Sequence, residues 1–170
     1  SAQEMYDRIF KMKFLPPGRM LWALGTPIIH EKKVGQALFN CAFVSTGNIG
    51  KGIEEAVKPF TFMMDMSMVG VGVGFDVEGA EKIEVYKQES QDEHYIIPDS
   101  REGWVTSLEK LLFSYFAKHF GFNKPCGVKF SYELIRPAGV PIQGFGGVSS
   151  GPAPLEKLHK QIRQLLDKLD

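Results

Sequence analysis

From Ala37 to Val44 the chain reads Ala-Leu-Phe-Asn-Cys-Ala-Phe-Val, and Thr46-Gly47-Asn48 closes the run. Leu38, Phe39, Ala42, Phe43 and Val44 are too continuous for a half-exposed strand. They predict a strand covered on both faces, the habit of parallel strands in α/β folds. A single thiol, Cys41, sits in mid-run. In such a strand it would point into a closed interior, either as a small hydrophobe or as a redox group at the bottom of a site. The residues alone leave both readings open.

The flanking segments alternate helix and strand. Met5, Ile9, Phe10 and Met12 predict a short amphipathic helix over 2–14, stopped by Leu15-Pro16-Pro17-Gly18. Ile53, Val57, Phe60, Met64 and Met68 fall at helical spacing within 48–68, with Glu54 and Lys58 as an i,i+4 pair and Pro59 as a potential kink. Over 69–77, Gly70, Gly72 and Gly74 alternate with Val71, Val73 and Phe75. Glycine at every second position empties one face, for tight strand packing or for close approach of a ligand. No helix start follows, so this is not a dinucleotide fingerprint.

Ile83 and Val85 predict a short strand in an otherwise charged stretch. Asp99 with Glu102 reads as a capping box opening a helix that carries Trp104, Leu108, Leu111, Leu112, Tyr115 and Phe116 and ends at Gly121. Val128 and Phe130 mark one face of a strand, and Cys126 sits in the Lys124-Pro125-Cys126-Gly127 turn before it. A long loop over 136–151, rich in glycine, delivers Ser149-Ser150-Gly151-Pro152 to a helix start. Amides there attract phosphate or are simply capped. The last helix places Leu155, Leu158, Ile162, Leu165 and Leu169 on one seam. Helices alternating with single strands predict an α/β fold in one domain, with parallel strands and crossover helices.

Twenty basic residues balance twenty acidic ones. That gives no electrostatic case for nucleic acid or a membrane surface as partner. Apolar runs fall short of a membrane span, and the first ten residues, with Glu4, Asp7 and Arg8, do not read as a signal peptide. Cys41 and Cys126 have neither metal-type spacing nor a disulfide framework, which suits a reducing cytoplasm. His30, His94, His119 and His159 fail as a metal set on spacing.

Several stretches taken together carry a resemblance: Pro17-Gly18-Arg19-Met20-Leu21-Trp22, Phe39-Asn40-Cys41-Ala42-Phe43-Val44, Val71-Gly72-Val73-Gly74-Phe75, Ile97–Trp104, Ile135–Gly139 and Gly144–Pro152. In this order they resemble the front part of the catalytic domain of adenosylcobalamin-dependent (class II) ribonucleotide reductases, of the ribonucleoside-triphosphate reductase type. The resemblance implies part of a ten-stranded α/β barrel, one half-barrel of parallel strands with crossover helices. It implies thiyl-radical chemistry on ribonucleoside triphosphates, with two further cysteines giving up two electrons as the 2′ hydroxyl leaves as water.

Cys41 matches the first-strand member of that reducing pair. Arg19, Met20 and Asn40 match positions lining the substrate cleft, with Gly72 and Gly74 as the close backbone approach. Ser149 and Ser150 are expected at the cleft mouth or in a nucleotide-contacting loop. The radical-bearing cysteine and the second reducing thiol are expected beyond Asp170, as is most of the adenosylcobalamin site, and no effector insertion is placed. Such a chain would be a segment truncated before the radical-cysteine loop and inactive without its complement. Its expected partners are the remaining portion of the reductase, a thioredoxin-like reductant and a second copy of itself. Two rivals stay open: another radical-barrel enzyme, such as a glycyl-radical reductase, and a non-catalytic nucleotide-binding or assembly fragment.

Overall fold

The computed structural model describes residues 1–32, 34–88, 90, 93–122, 126–142 and 147–169. Lys33, the Lys124-Pro125 half of the turn before Cys126, Gly144, Phe145 and Gly146 of the glycine-rich loop, and Asp170 lie outside them.

Three short helices lead: α1 (Ala2–Phe10), α2 (Gly18–Ala23) and α3 (Pro27–His30). α1 ends before the predicted Phe14 because Met12 adopts a left-handed φ of 54°. None of its residues is buried. Two β-α-β units follow. In the first, strand β1 (Cys41–Val44), helix α4 (Ile53–Met68) and strand β2 (Gly72–Phe75) form a parallel pair with its crossover helix. In the second, β3 (Glu93–Ile96), α5 (Arg101–Phe116) and β4 (Val128–Ser131) repeat the arrangement, and α6 (Ala153–Leu166) closes the chain.

The α/β class and parallel strands are as expected. The described strands make two separate two-stranded sheets, β1-β2 and β3-β4, in place of one continuous half-barrel sheet.

The main core lies between helices. Ala56 and Val57 of α4 meet Leu108, Leu111, Leu112, Tyr115 and Phe116 of α5 and Leu166 of α6. Val57 and the α5 residues are apolar positions whose helical spacing predicted the helices; Ala56 and Leu166 are additions. Burial of this set is the main source of helix stability here. α4 runs straight through Pro59 and starts at Ile53, later than predicted, after a 3-10 turn over Ile49–Lys51.

Four local expectations change. Ile83 and Val85 form no strand; they pack on the helical core, and their neighbours' amides turn to the end of α5, Tyr86 N–H to Tyr115 O at 3.1 Å and Glu84 N–H to His119 Nδ1 at 3.3 Å. The α5 cap is Ser100, whose Oγ accepts from Gly103 N–H at 3.0 Å, while Asp99 accepts from Arg136 Nε at 2.6 Å. α5 itself ends at Phe116, and Gly121, with φ 86°, closes the turn after it. On α6 the seam holds for Leu155, but Leu165 and Leu169 are exposed; His159 and Leu166 are buried in their stead.

The strand around Cys41 departs most. It was expected to be covered on both faces, yet only Ala42 and Val44 are half-buried while Cys41 and Phe43 are exposed. Leu38 belongs to a 3-10 turn over Gly35–Leu38 rather than to the strand. The inner face packs on α4, and the outer face has no cover among the described residues.

Candidate functional site at Cys41

Cys41 opens β1 as a free, exposed thiol, not one enclosed in an interior. Register explains what surrounds it. Cys41 pairs with Gly72 and Phe43 with Gly74, so the outer face of β2 carries no side chain beside either residue. The Phe43 ring lies over Gly74: a Cβ built there would sit 3.5 Å from Phe43 Cδ2. Beside Cys41 the space is open, since a Cβ on Gly72 would meet only Asn40 O, at 3.6 Å. The alternating glycines therefore clear the face on which the thiol stands.

Both ends of this strand pair are pinned by side chains. At the N-terminal end, Arg19 on α2 donates from Nη1 to Phe39 O at 3.0 Å and to Ala37 O at 3.4 Å, and from Nη2 to Gly70 O. Its guanidinium faces backbone carbonyls, whereas a substrate contact was expected. Asn40 is exposed and its carbonyl accepts from Gly72 N–H at 3.0 Å, the first rung of the ladder. Met20 is half-buried on α2, next in sequence to Arg19.

At the C-terminal end, Asp76 Oδ1 accepts from Thr46 N–H at 2.8 Å, Thr46 Oγ1 at 3.0 Å and Glu78 N–H at 3.3 Å. The backbone bond from Thr46, with help from Ser45, holds the Asp76 carboxyl below the usual carboxylate range.

Ser149 and Ser150 are not brought to Cys41. They line a hollow of about 520 Å³ with Val69, Arg101, Trp104 and Arg136, between the two β-α-β units. Ser149 Oγ is engaged within its own loop, accepting from Gly151 N–H at 3.0 Å. A larger hollow of about 840 Å³ opens beyond the C-terminal ends of β1 and β2, lined by Pro59, Phe60, Met63, Val77, Phe116 and other mostly apolar groups. It does not border Cys41.

His159 is a polar site that spacing arguments passed over. It is 2% exposed, with Nε2 3.0 Å from Ser107 Oγ and Nδ1 2.8 Å from Tyr132 O–H. Ser107 donates its own proton to Trp104 O at 2.6 Å, so Nε2 carries the imidazole proton and Nδ1 accepts from Tyr132. Burial, and then the charge of Arg163, pushes the His159 pKa down to about 4. Burial, and then Glu156, raises Tyr132 to about 12. Every hydrogen-bonding atom of the ring is satisfied, so the cluster locks α6 to α5 and β4 and has no free base to offer. The signal was available: His159 stands four residues after Leu155, on the buried side of α6.

Among the described residues no three His, Cys, Asp or Glu side chains group to hold a metal ion. No helix among them is long and apolar enough to cross a membrane.

Comparison with known proteins supplies the context. Residues 74–166 match the profile of the B12-dependent ribonucleotide reductase insertion domain, and residues 1–26 that of the ribonucleotide reductase alpha domain. The first match covers the whole of the second β-α-β unit and α6, where no insertion was placed from the sequence. An adenosylcobalamin-dependent ribonucleoside-triphosphate reductase from Euglena gracilis is 49% identical over 97% of this chain and 22% of its own. A relative from Dictyostelium discoideum is 49% identical over 99% of this chain and 23% of its own. The crystal structure of a B12-dependent (class II) ribonucleotide reductase, 27% identical, superposes with a TM-score of 0.81 over 99% of this chain and 29% of that one. The chain thus spans under a third of the length of these relatives.

Proposed function

This chain belongs to the B12-dependent ribonucleotide reductase family, whose insertion-domain profile covers residues 74–166, and from that premise we propose that its 170 residues form the front portion of a reductase catalytic domain. The reaction is reduction of ribonucleoside triphosphates to 2′-deoxyribonucleotides. Cys41 supplies one of the two reducing thiols. A thiyl radical on another cysteine takes the 3′ hydrogen; the C2′–O bond then breaks and the oxygen leaves as water. After reduction at C2′ the same thiol returns the hydrogen to C3′ and is a thiyl radical again. Cys41 and its partner thiol give up two electrons and two protons and close an S–S bond, which a thioredoxin-like dithiol reopens.

One observation carries this reading: the exposed Cys41 thiol beside Gly72, with no side chain next to it on the partner strand. A sugar can approach such a thiol, and an incoming sulfur has room to form the disulfide. Gly72 and Gly74 lie on this face, and the resemblance assigns Asn40 and Met20 to the same cleft. Ser149 and Ser150, in their separate hollow, would reach a substrate only at its far end.

β1 and β2 act as strands of the half-barrel. Phe39, Phe43, Phe75 and Val77 are 61%, 65%, 56% and 74% exposed, and bare parallel edges of this kind call for further strands. The remaining portion of the reductase is the cover this reading assigns, with a second copy as its competitor for the same surface. The reading sets the reaction in a reducing cytoplasm, and the free Cys41 and Cys126 support it.

The cofactor named for the relatives, adenosylcobalamin, does not fit the described residues. The hollow of about 840 Å³ is mostly apolar and lies away from Cys41, whereas a corrin with amide side arms needs a broad polar seat. No step is therefore assigned to it through these residues.

The test is Cys41→Ser in the full-length reductase, assayed with adenosylcobalamin, a small dithiol and ribonucleoside triphosphate. Turnover should fall below about 1% of the parent, about 2.7 kcal/mol of barrier. Retention of parental turnover in a folded variant would leave a nucleotide-binding or assembly role for these residues.

A further inference from the structure

The carbonyls held by Arg19 stand in a particular relation to the strand register. Phe39 lies two residues before Cys41, and Gly70 two residues before Gly72. Cys41 and Gly72 are register partners. One guanidinium thus bridges equivalent positions ahead of the two strands, just before their first backbone rung, Gly72 N–H to Asn40 O at 3.0 Å. Gly70 adopts φ 81°, and a Cβ there would sit 3.5 Å from Arg19 Nη2, so the guanidinium lies flat against this turn. The bond to Ala37 O fixes the turn leading into β1 as well. Arg19 is half-buried, and its planar fork of donors suits two divergent carbonyls better than an ammonium would.

We infer that Arg19 is a positioning residue for the Cys41 thiol: it extends the β1-β2 ladder by one side-chain rung and thereby fixes where the sulfur stands on the open face. This rests on the reading of Cys41 as a reducing thiol and adds to it a residue that acts through the backbone. A two-stranded pair has few rungs, and Cys41 stands at its first residue, where fraying would move the sulfur most. Contact with the substrate's phosphates is the competing role. It would require the guanidinium to leave carbonyls that no other side chain among the described residues holds.

The experiment uses Arg19→Gln and Arg19→Lys in the full-length reductase. Three readouts are taken: kcat and KM for ribonucleoside triphosphate, and the alkylation rates of Cys41 and Cys126 resolved by peptide mass spectrometry. Arg19→Gln should lower kcat about tenfold while KM changes by less than about threefold. It should change the Cys41 alkylation rate by about tenfold and leave that of Cys126 at the parental value. Arg19→Lys, which keeps the charge but cannot span both carbonyls, should restore only part of each effect. It also serves if the Gln variant does not fold.

A raised KM with parental kcat and parental Cys41 alkylation would overturn the inference in favour of substrate contact, and parental values throughout would overturn it outright. Cys41→Ser separates this from the function itself. If that variant turns over normally, the reducing role fails, while the Arg19 effect on Cys41 alkylation still decides the positioning claim.

Discussion

Cys41 faces Gly72 across the β1-β2 pair, with no side chain on the partner strand to screen its sulfur. This vacancy can be filled without breaking the fold. Gly72 does not adopt a positive φ, and the nearest atom to an added Cβ is Asn40 O at 3.6 Å, an ordinary contact. Gly72→Val should therefore leave stability within about 0.5 kcal/mol, or raise it slightly through strand propensity. It should nonetheless slow Cys41 alkylation and lower kcat/KM by roughly tenfold, about 1.4 kcal/mol of barrier. A valine variant with parental alkylation and turnover would show that the cleared face is a packing feature only.

Gly103 shows the opposite use of glycine. It lies in the first turn of α5, and a Cβ there would sit 2.6 Å from Pro98 O and 2.9 Å from Pro98 Cδ. Alanine gains about 1 kcal/mol of intrinsic helix propensity. The clash with backbone costs about 1–3 kcal/mol and also strains the Ser100 cap. Gly103→Ala should thus destabilise the second β-α-β unit, read as faster hydrogen exchange across α5. A variant more protected than the parent would refute the packing argument.

These two glycines show where sequence reading succeeds and where it stops. Helical spacing at Val57, Leu108, Leu111 and Tyr115 reports burial directly, because each such face packs within the chain itself. The run from Leu38 to Val44 misled because apolar content reports that a face wants cover, not which part of the protein covers it. Its Phe39 and Phe43 are bare among the described residues. The cap moved from Asp99 to Ser100 because Asp99 found Arg136, a partner thirty-seven residues away that no local pattern reveals. Arg19 was legible as belonging with Cys41, but its three carbonyl contacts were not. Whether a guanidinium meets a ligand or three carbonyls depends on how α2 docks, and spacing does not encode that.

Asp76 ties the far ends of β1 and β2 through Thr46. Its folded carboxyl titrates below the ordinary value. The tie is therefore present above the usual carboxylate pKa and is lost as pH falls through the depressed folded value. Asp76→Asn keeps an acceptor at Oδ1, while Asp76→Ala removes it and orphans Thr46 N–H. Exchange at the Thr46 amide should rise modestly in the first variant and strongly in the second. Equal rates in both would mean that the bond contributes little.

His159 makes the sharpest pH prediction. Its imidazole is neutral and fully bonded in the fold, and its pKa falls from 6.5 to about 4. Between those values the unfolded chain binds more protons than the folded one, so stability rises with pH across this window. The contribution is complete above about pH 6.5 and declines as pH drops toward 4. At full burial the drop corresponds to roughly 3 kcal/mol. Protonation would force a donor at Nδ1 against Tyr132 O–H, which already donates to it. Amides of α6 should lose exchange protection between pH 6.5 and 4.5 in the parent reductase. His159→Gln should be less protected at pH 7, by about 1–3 kcal/mol for imperfectly paired Ser107 and Tyr132, and should lack that pH-dependent step. A variant that keeps the parental pH slope would refute His159 as the source of the acid sensitivity of α6.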